Sequence, residues 1–449
     1  YEHPPMVAWL IRGLSYLFGN SEAGLEAMAV TTNLAILVAL YALAVRTFGI
    51  GAANFTFLAV ESSAYFTLGT PMLQIEQPLL LSWIGALAAL LEYQRTGKPR
   101  WLLVMGVCAG LGALSKYTML LFYFGGLAYL LLVPERRKDL RSPWLYAAGT
   151  VSLLVFSPVL IWNAQHNWFS FRFQLGKAGG ATEAFLGKHL IEFTVGYIIL
   201  FSPVAVLAGA RPVWRRLREL GRADRPEVLL AVLGAVPIAF FSLAMIRGSF
   251  PDPKWANVGF LSYFLLLGAV LNTLWEAGRR LRVKVLVGGA LAVNVAVIAI
   301  VGLQTWKHFF KAPEGGDPTE QIVGWNLTVQ QVEGLLFNNR IPPPRYVISA
   351  MYPLASQFAL HMASRPLTYS LKRPERNLWS PKADMQPEDT LFVCSGRECR
   401  WGRRLIRAQL GWDAQQLGIV TTTLWGVRRH QVEVWLLVPG APKPAAPRS

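Results

Sequence analysis

The sequence predicts a mainly α-helical, polytopic membrane protein that ends in a small α/β domain. Three observations carry this. Of 449 residues, 53% are hydrophobic and only 15% are charged, against about 25% charged in an ordinary soluble domain. Ten apolar runs occupy the chain up to residue 303, most of them approaching the roughly 20 residues that cross a hydrocarbon core. Beyond them the pattern changes to short β-rich stretches separated by helical ones. Such a composition excludes a soluble enzyme, a disordered chain and a disulfide-dense secreted module.

The runs fall at 26–46, 52–69, 77–94, 101–115, 117–133, 144–162, 190–210, 228–246, 256–275 and 284–303. Read as one helix, Trp101 to Val133 would be roughly 50 Å long at the α-helical rise, too long for a single crossing. Ser115-Lys116 interrupts it, so two short crossings are expected with Lys116 at the turn.

Charge then orients the spans. The chain holds 43 Lys+Arg against 26 Asp+Glu, a formal net charge of +17, and a surplus of this size raises nucleic acid as a partner. Its distribution argues otherwise. Arg46; Arg95, Lys98 and Arg100; Arg136, Arg137, Lys138 and Arg141; Arg211 to Arg225; and Arg279 to Lys284 fill five alternate loops with eighteen basic residues. The opposite loops before residue 304 carry seven. Basic loops stay in the cytoplasm, so the surplus is a topological signal. Under this reading Tyr1 and the tail from Gln304 lie outside.

In the tail, Ile322, Trp325, Val329, Val332, Leu335 and Leu336 recur at helical spacing. Strands are expected at Tyr346–Ser349, Leu367–Tyr369, Thr390–Cys394, Ile419–Thr423 and Val432–Val438, with a helix near Leu354–Met362. Alternating strands and helices predict an α/β domain over 304–440, after a membrane domain at 1–303 and before a disordered tail at 441–449. Cys108 lies in a span and reads as packing. Cys394 and Cys399 stand in the exported tail, where a disulfide and two free thiols are equally open and a zinc pair, without a second pair of ligands, is disfavoured.

The outer loops carry the polar groups that invite a function. Glu2 and His3 precede Pro4-Pro5; Glu76-Gln77-Pro78 opens a span; Ser115-Lys116-Tyr117-Thr118 forms a turn. His166, Arg172 and Lys177 lie in a long loop, and Arg247 and Lys254 in the next. Carboxylates and cations converging on one membrane face suit an anionic substrate with a lipid tail. Plainer roles stand beside this: Trp162, Trp168 and Trp255 fit the interfacial aromatic belt, Lys116 and Lys254 can snorkel to lipid phosphates, and Glu76 favours a helix N-terminus. Glu61, inside a span, is costly there unless paired or functional.

Tyr1-Glu2-His3-Pro4-Pro5-Met6, Thr70-Pro71 with Glu76-Gln77-Pro78-Leu79-Leu80, and Leu114-Ser115-Lys116-Tyr117-Thr118 resemble the bacterial family 39 glycosyltransferases. That group is similar to the protein O-mannosyltransferases and the aminoarabinose lipid A transferase. Asn163–Gln174, Gly324-Trp325 after Asp317-Pro318, and Tyr352, Ala355 and Phe358 extend the likeness over nearly the whole chain. The resemblance implies a GT-C fold with a periplasmic active site in the bacterial inner membrane. It also implies transfer of a sugar from a polyprenyl-phosphate carrier to a lipid, glycan or protein acceptor. It places the main catalytic acid just upstream of Tyr1, so the sequence is expected to be an N-terminally truncated piece.

Within the residues present, the resemblance implies catalytic roles for Glu76 and Glu2. Substrate contacts are expected from His3, Lys116, Tyr117, His166, Arg172, Arg247 and Lys254. Glu76 comes later after Thr70-Pro71 than the family pattern has it and replaces an Asp. A divalent metal ion at Glu2 is left open, and no other cofactor is expected. The alternative readings are a lipid-linked sugar transporter or flippase, and a non-catalytic assembly partner with the same fold. No internal two-fold repeat of the kind many transporters show is visible.

Overall fold

The computed structural model describes residues 3–178, 186–222, 224–246, 252–310, 319, 322–372 and 384–440. Glu2 and Arg247, the side chain of Lys177, and the tail 441–449 lie outside the described residues. The chain divides into two compact units, Tyr1–Ile298 and Ala299–Ser449, and the division falls inside a helix.

Among the described residues, the first unit contains helices and turns but no strand. Its elements are α1 (Met6–Phe18), α2 (Glu22–Phe48), α3 (Ile50–Glu61), α4 (Ala64–Leu68), α5 (Glu76–Thr96), α6 (Arg100–Ser115) and α7 (Leu120–Leu132). These are followed by α8 (Pro143–Gln165), α9 (Phe169–Ala178), α10 (Leu186–Leu200), α11 (Pro203–Arg218), α12 (Pro226–Ile246), α13 (Asn257–Glu276) and α14 (Arg280–Lys307). Every expected apolar run is helical, and the interruption at Lys116 is real: α6 stops at Ser115, and a 3-10 turn over Tyr117–Met119 leads into α7.

Two expected spans are broken. Run 52–69 divides at Ser62-Ser63, and run 190–210 divides at Phe201-Ser202, where the axis bends by 100°. The breaks meet: Ser63 Oγ donates to the Leu200 carbonyl at 2.9 Å, and Phe201 stacks on Phe260 at 3.9 Å. The Leu200 carbonyl, freed where α10 ends, thereby finds a donor that hydrocarbon would not supply. Five described helices are long and apolar enough to cross a membrane, seven if each bent pair is one span. The expectation of ten assumed a full-length crossing for every run. Yet α3 and α6 have only 12 and 16 residues, and α5 lies largely buried in the bundle rather than facing lipid. The protein is a membrane protein.

Close helix packing rests on small residues. A β-carbon at Gly106 would collide with the Ala148 carbonyl oxygen, and one at Gly110 with that of Ser152, so this Gly-x3-Gly pair lets α6 lie directly on α8. At the Arg-rich end, Arg136 Nε lies 2.7 Å from Asp224 Oδ2, while Gln94 and Tyr129 both donate to Asp224 Oδ1. Arg46 and Arg95 share Glu92, each at 2.7 Å. These pairs tie the turns after α2, α5, α7 and α11 together.

The second unit holds α15 (Trp325–Asn338), α16 (Tyr352–His361) and α17 (Glu398–Leu410). They accompany strands β1 (Tyr346–Ser349), β2 (Leu367–Ser370), β3 (Thr390–Cys394), β4 (Trp412–Leu424) and β5 (Val427–Pro439). The sheet order is β2-β1-β3-β5-β4. β1 runs parallel to β2 and β3, and the β4–β5 hairpin adds antiparallel to β3. Alternate residues of β1 and β3 feed two cores: Val347, Leu391 and Val393 pack with α15 and α16, and Ile348, Phe392 and Cys394 with α17. Cys394 and Cys399 form a disulfide, which closes the alternatives the sequence left open.

Candidate functional site

The site is built where α5 begins and α6 ends. Ser115 Oγ donates to the Ile75 carbonyl at 2.6 Å, fastening the end of α6 to the start of α5. Lys116 is extended (φ −155°, ψ 138°), and the break in helical geometry turns its side chain toward Glu76. Its ammonium lies 2.8 Å from Glu76 Oε1, and the two residues are 5% and 3% exposed. The turn before α5 is braced by Gln77, whose amide donates to the Met72 carbonyl at 3.1 Å and accepts from Gln74 N at 3.3 Å.

A third segment closes on this pair. The 3-10 turn Pro253–Ala256 is capped by Asp252, whose Oδ1 accepts from Lys254 N at 3.0 Å. The turn carries Trp255 over the Lys116 ammonium at 5.2 Å from the ring centroid, a cation–π contact. Lys254 is partly exposed, 3.6 Å from Asp252 Oδ2, and its charge is felt by both Glu76 and Lys116. Asn257, fully buried at the start of α13, donates to Tyr65 Oη at 2.6 Å, and Tyr65 in turn feels Glu76 and Asp252. Glu76, Lys116, Lys254 and Tyr65 thus form one cluster at the helix ends opposite the Arg-rich turns.

The remaining expected residues are placed elsewhere or apart. Tyr117 flanks the cluster but bonds Ser170 Oγ at 2.7 Å, within a group completed by Asn163 Oδ1 at 2.8 Å from the same hydroxyl. His166 is exposed, stacks on Trp162 at 4.2 Å and bonds the Trp162 carbonyl. Arg172 is exposed and donates to the Asn167 carbonyl at 3.3 Å. Both therefore make these contacts within their own loop. His3 is half-buried just ahead of α1. Glu61 ends α3, and its carbonyl accepts from Asn294 at 2.8 Å.

Sequence reasoning missed Asp252, Tyr65 and Asn257 and gave Trp255 to the aromatic belt. The available signal was the dense run Asp252-Pro253-Lys254-Trp255-Ala256-Asn257, too polar and rigid for a plain span entry. Among the described residues the only close His/Cys/Asp/Glu trio is Cys394, Cys399 and Glu433. Its two sulfurs are joined to each other, so it offers no thiolates to a metal.

The coordinates superpose on the crystal structure of ArnT from Cupriavidus metallidurans bound to undecaprenyl phosphate with a TM-score of 0.64, covering 100% of this chain and 89% of that one at 15% identity. The chain carries the GT-C-type fold. The archaeal oligosaccharyltransferase AglB from Archaeoglobus fulgidus shares the GT-C architecture more distantly, with a TM-score of 0.50 and 13% identity over 88% of this chain and 61% of that one. Residues 2–162 match the family model described as dolichyl-phosphate-mannose-protein mannosyltransferase. That stretch contains both Glu76 and Lys116. The lipid A galacturonosyltransferase RgtD of Rhizobium johnstonii is 28% identical over 333 residues, 72% of this chain. The match spans 66% of that relative, just under two thirds of its length.

Proposed function

We propose that the protein is an integral-membrane glycosyltransferase. It moves a sugar from a polyprenyl-phosphate carrier to a lipid, glycan or protein acceptor on the periplasmic face of the bacterial inner membrane. The observation that carries this reading is the buried Glu76–Lys116 pair beside Lys254. A carboxylate and two cations stand at the membrane boundary, on the side away from eighteen basic loop residues.

In this reaction an acceptor hydroxyl oxygen forms a bond to the anomeric carbon as the bond from that carbon to the carrier phosphate breaks. The hydroxyl proton passes to a carboxylate, and the polyprenyl phosphate leaves with its bonding electron pair. Lys116 and Lys254 meet the negative charge that gathers on the departing phosphate; Lys116 is buried, where each charge counts for more than in water. Glu76 holds the Lys116 ammonium in place from one side while the Trp255 face holds it from the other. A carboxylate here also serves as a proton acceptor of the ordinary kind. The family resemblance adds Glu2, His3, Tyr117, His166, Arg172 and Arg247 to the proposed substrate-binding set, Glu2 and Arg247 lying outside the described residues.

Galacturonic acid and lipid A, named for the rhizobial relative, are the first donor sugar and acceptor to test. Purified protein in lipid nanodiscs is given polyprenyl-phosphate sugars and lipid A, and released polyprenyl phosphate and glycosylated acceptor are measured together by mass spectrometry. Stoichiometric appearance of both supports transfer. Movement of intact donor across a vesicle membrane without either product would sink the transferase reading in favour of a flippase.

A further inference from the structure

We propose that the tip of the β4–β5 hairpin, Trp425-Gly426, inserts into the lipid headgroup–acyl interface and anchors the hairpin to the bilayer beside the end of α14. Helix α14 sets the depth. Its 28 residues extend roughly 42 Å at the α-helical rise, enough to cross a core of about 30 Å and end in the far interface. The helix enters at Arg280 and Arg282, so its last turn, Thr305 to Lys307, lies at the opposite boundary.

The hairpin is fixed to that depth. Arg429 is buried, and its Nη2 donates to the Thr305 carbonyl and, at 3.2 Å, to the Trp306 carbonyl. The same guanidinium sits over the Trp425 ring, 5.7 Å from its centroid. The chain after α14 is held there too, because Gln304 bonds both the amide and the carbonyl of Phe310 at 2.9 Å. Trp306, Phe309, Phe310 and Trp425 are all about half exposed or more. Large aromatics with neighbouring cations, here Lys307 and Arg428, are the composition of a membrane interface.

The backbone supplies an independent reason. Trp425 and Gly426 have φ of +52° and +76°, the signs of a two-residue type I′ turn, whose first position favours Asn, Asp or Gly. A bulky indole is a poor occupant of a left-handed position. The turn conformation disfavours it, and Arg429 covers only one face, leaving the indole more than half exposed for a further contact. Continuity with a membrane-crossing helix identifies the occupant of this patch as lipid rather than a soluble partner.

The test uses the full chain in nanodiscs with Cys108→Ala and a single new cysteine carrying an environment-sensitive fluorophore. Trp425→Cys and Phe310→Cys report the patch, and Phe337→Cys on the exposed face of α15 is the water-facing reference. Labels at 425 and 310 should be quenched by nitroxide lipids and be about threefold less accessible to iodide than the label at 337, as expected for an interfacial side chain. Iodide access equal to the reference overturns the proposal. Protection from both quenchers, as a protein partner would give, overturns it as well. Trp425→Asn, which suits the turn, should raise the unfolding midpoint in detergent while a label at 310 loses part of its lipid quenching; unchanged quenching there counts against the anchor.

Discussion

The ammonium of Lys116 lies 2.8 Å from the carboxylate of Glu76, and neither side chain is more than 7% exposed. A buried pair of this kind is weak evidence for stability, because desolvating two charges offsets much of their attraction. Breaking it from one side is another matter. Lys116→Met should destabilise the protein by about 3–5 kcal/mol by leaving a buried carboxylate alone, and transfer should be lost with it. The double variant Glu76→Leu with Lys116→Met should recover most of the thermal stability in detergent and none of the turnover. Recovery of both would make the pair a structural device only.

Lys254 separates binding from folding. It is partly exposed and paired loosely with Asp252 at 3.6 Å, so Lys254→Ala should leave the unfolding midpoint unchanged. If its charge meets the donor phosphate, the KM for donor should rise by about tenfold, one charge-assisted contact, and the wild-type KM should climb with salt more steeply than the variant's. Parallel salt profiles in steady-state assays would remove Lys254 from the donor site.

The disulfide closes a loop of five residues' separation between the end of β3 and the first turn of α17. A loop this short contributes roughly 2 kcal/mol in the chain-entropy account. Reductant, or Cys394→Ser with Cys399→Ser, should therefore speed amide exchange in 390–410 without altering helices α2 to α8. Hydrogen-exchange mass spectrometry with and without reductant reads this directly, and the double variant should be blind to reductant.

His430 makes the second unit sensitive to acid. Burial, reinforced by the charge of Arg429, holds its imidazole below the usual histidine range, against the opposing bond from Nε2 to the Val323 carbonyl at 2.7 Å. Between that lowered pKa and about 6.5 the unfolded chain binds the proton and the folded chain does not. Stability therefore falls as pH drops through this window and is fully present above it. Exchange protection of 323–336, corrected for intrinsic rates, should decline from pH 7.5 to 5.5 in the wild type. In His430→Gln it should stay level.

Much of this architecture is legible in the sequence because hydropathy and strand alternation are strong signals. The Lys116 turn, β1 and β3 fall where residues 115–117, 346–349 and 390–394 put them. Helix α17 escaped notice because its buried stripe is only Cys399, Gly402 and Ile406 among arginines. Half of β4 did so because Asp413, Gln415 and Gln416 are polar, on an edge strand. The breaks at Ser62-Ser63 and Ser202 left no trace in hydropathy, since serine scarcely interrupts an apolar run. Within the site, Glu76 and Lys116 were readable as unusual charges at span ends. Their mutual contact, and the parts of Trp255, Asn257 and Tyr65 in it, required the third dimension.

The bond from Ser63 to the Leu200 carbonyl links residues 137 positions apart. On a ribosome adding about 5–20 residues per second, the first broken helix waits roughly 7 to 27 seconds for its partner to be made. During that interval the Ser63 hydroxyl lacks this acceptor, while the Ser62 and Ser63 amides and the Ser62 hydroxyl are already bonded to the Leu58, Val60 and Ala59 carbonyls. The packing of α4 is therefore complete only once α10 has been made.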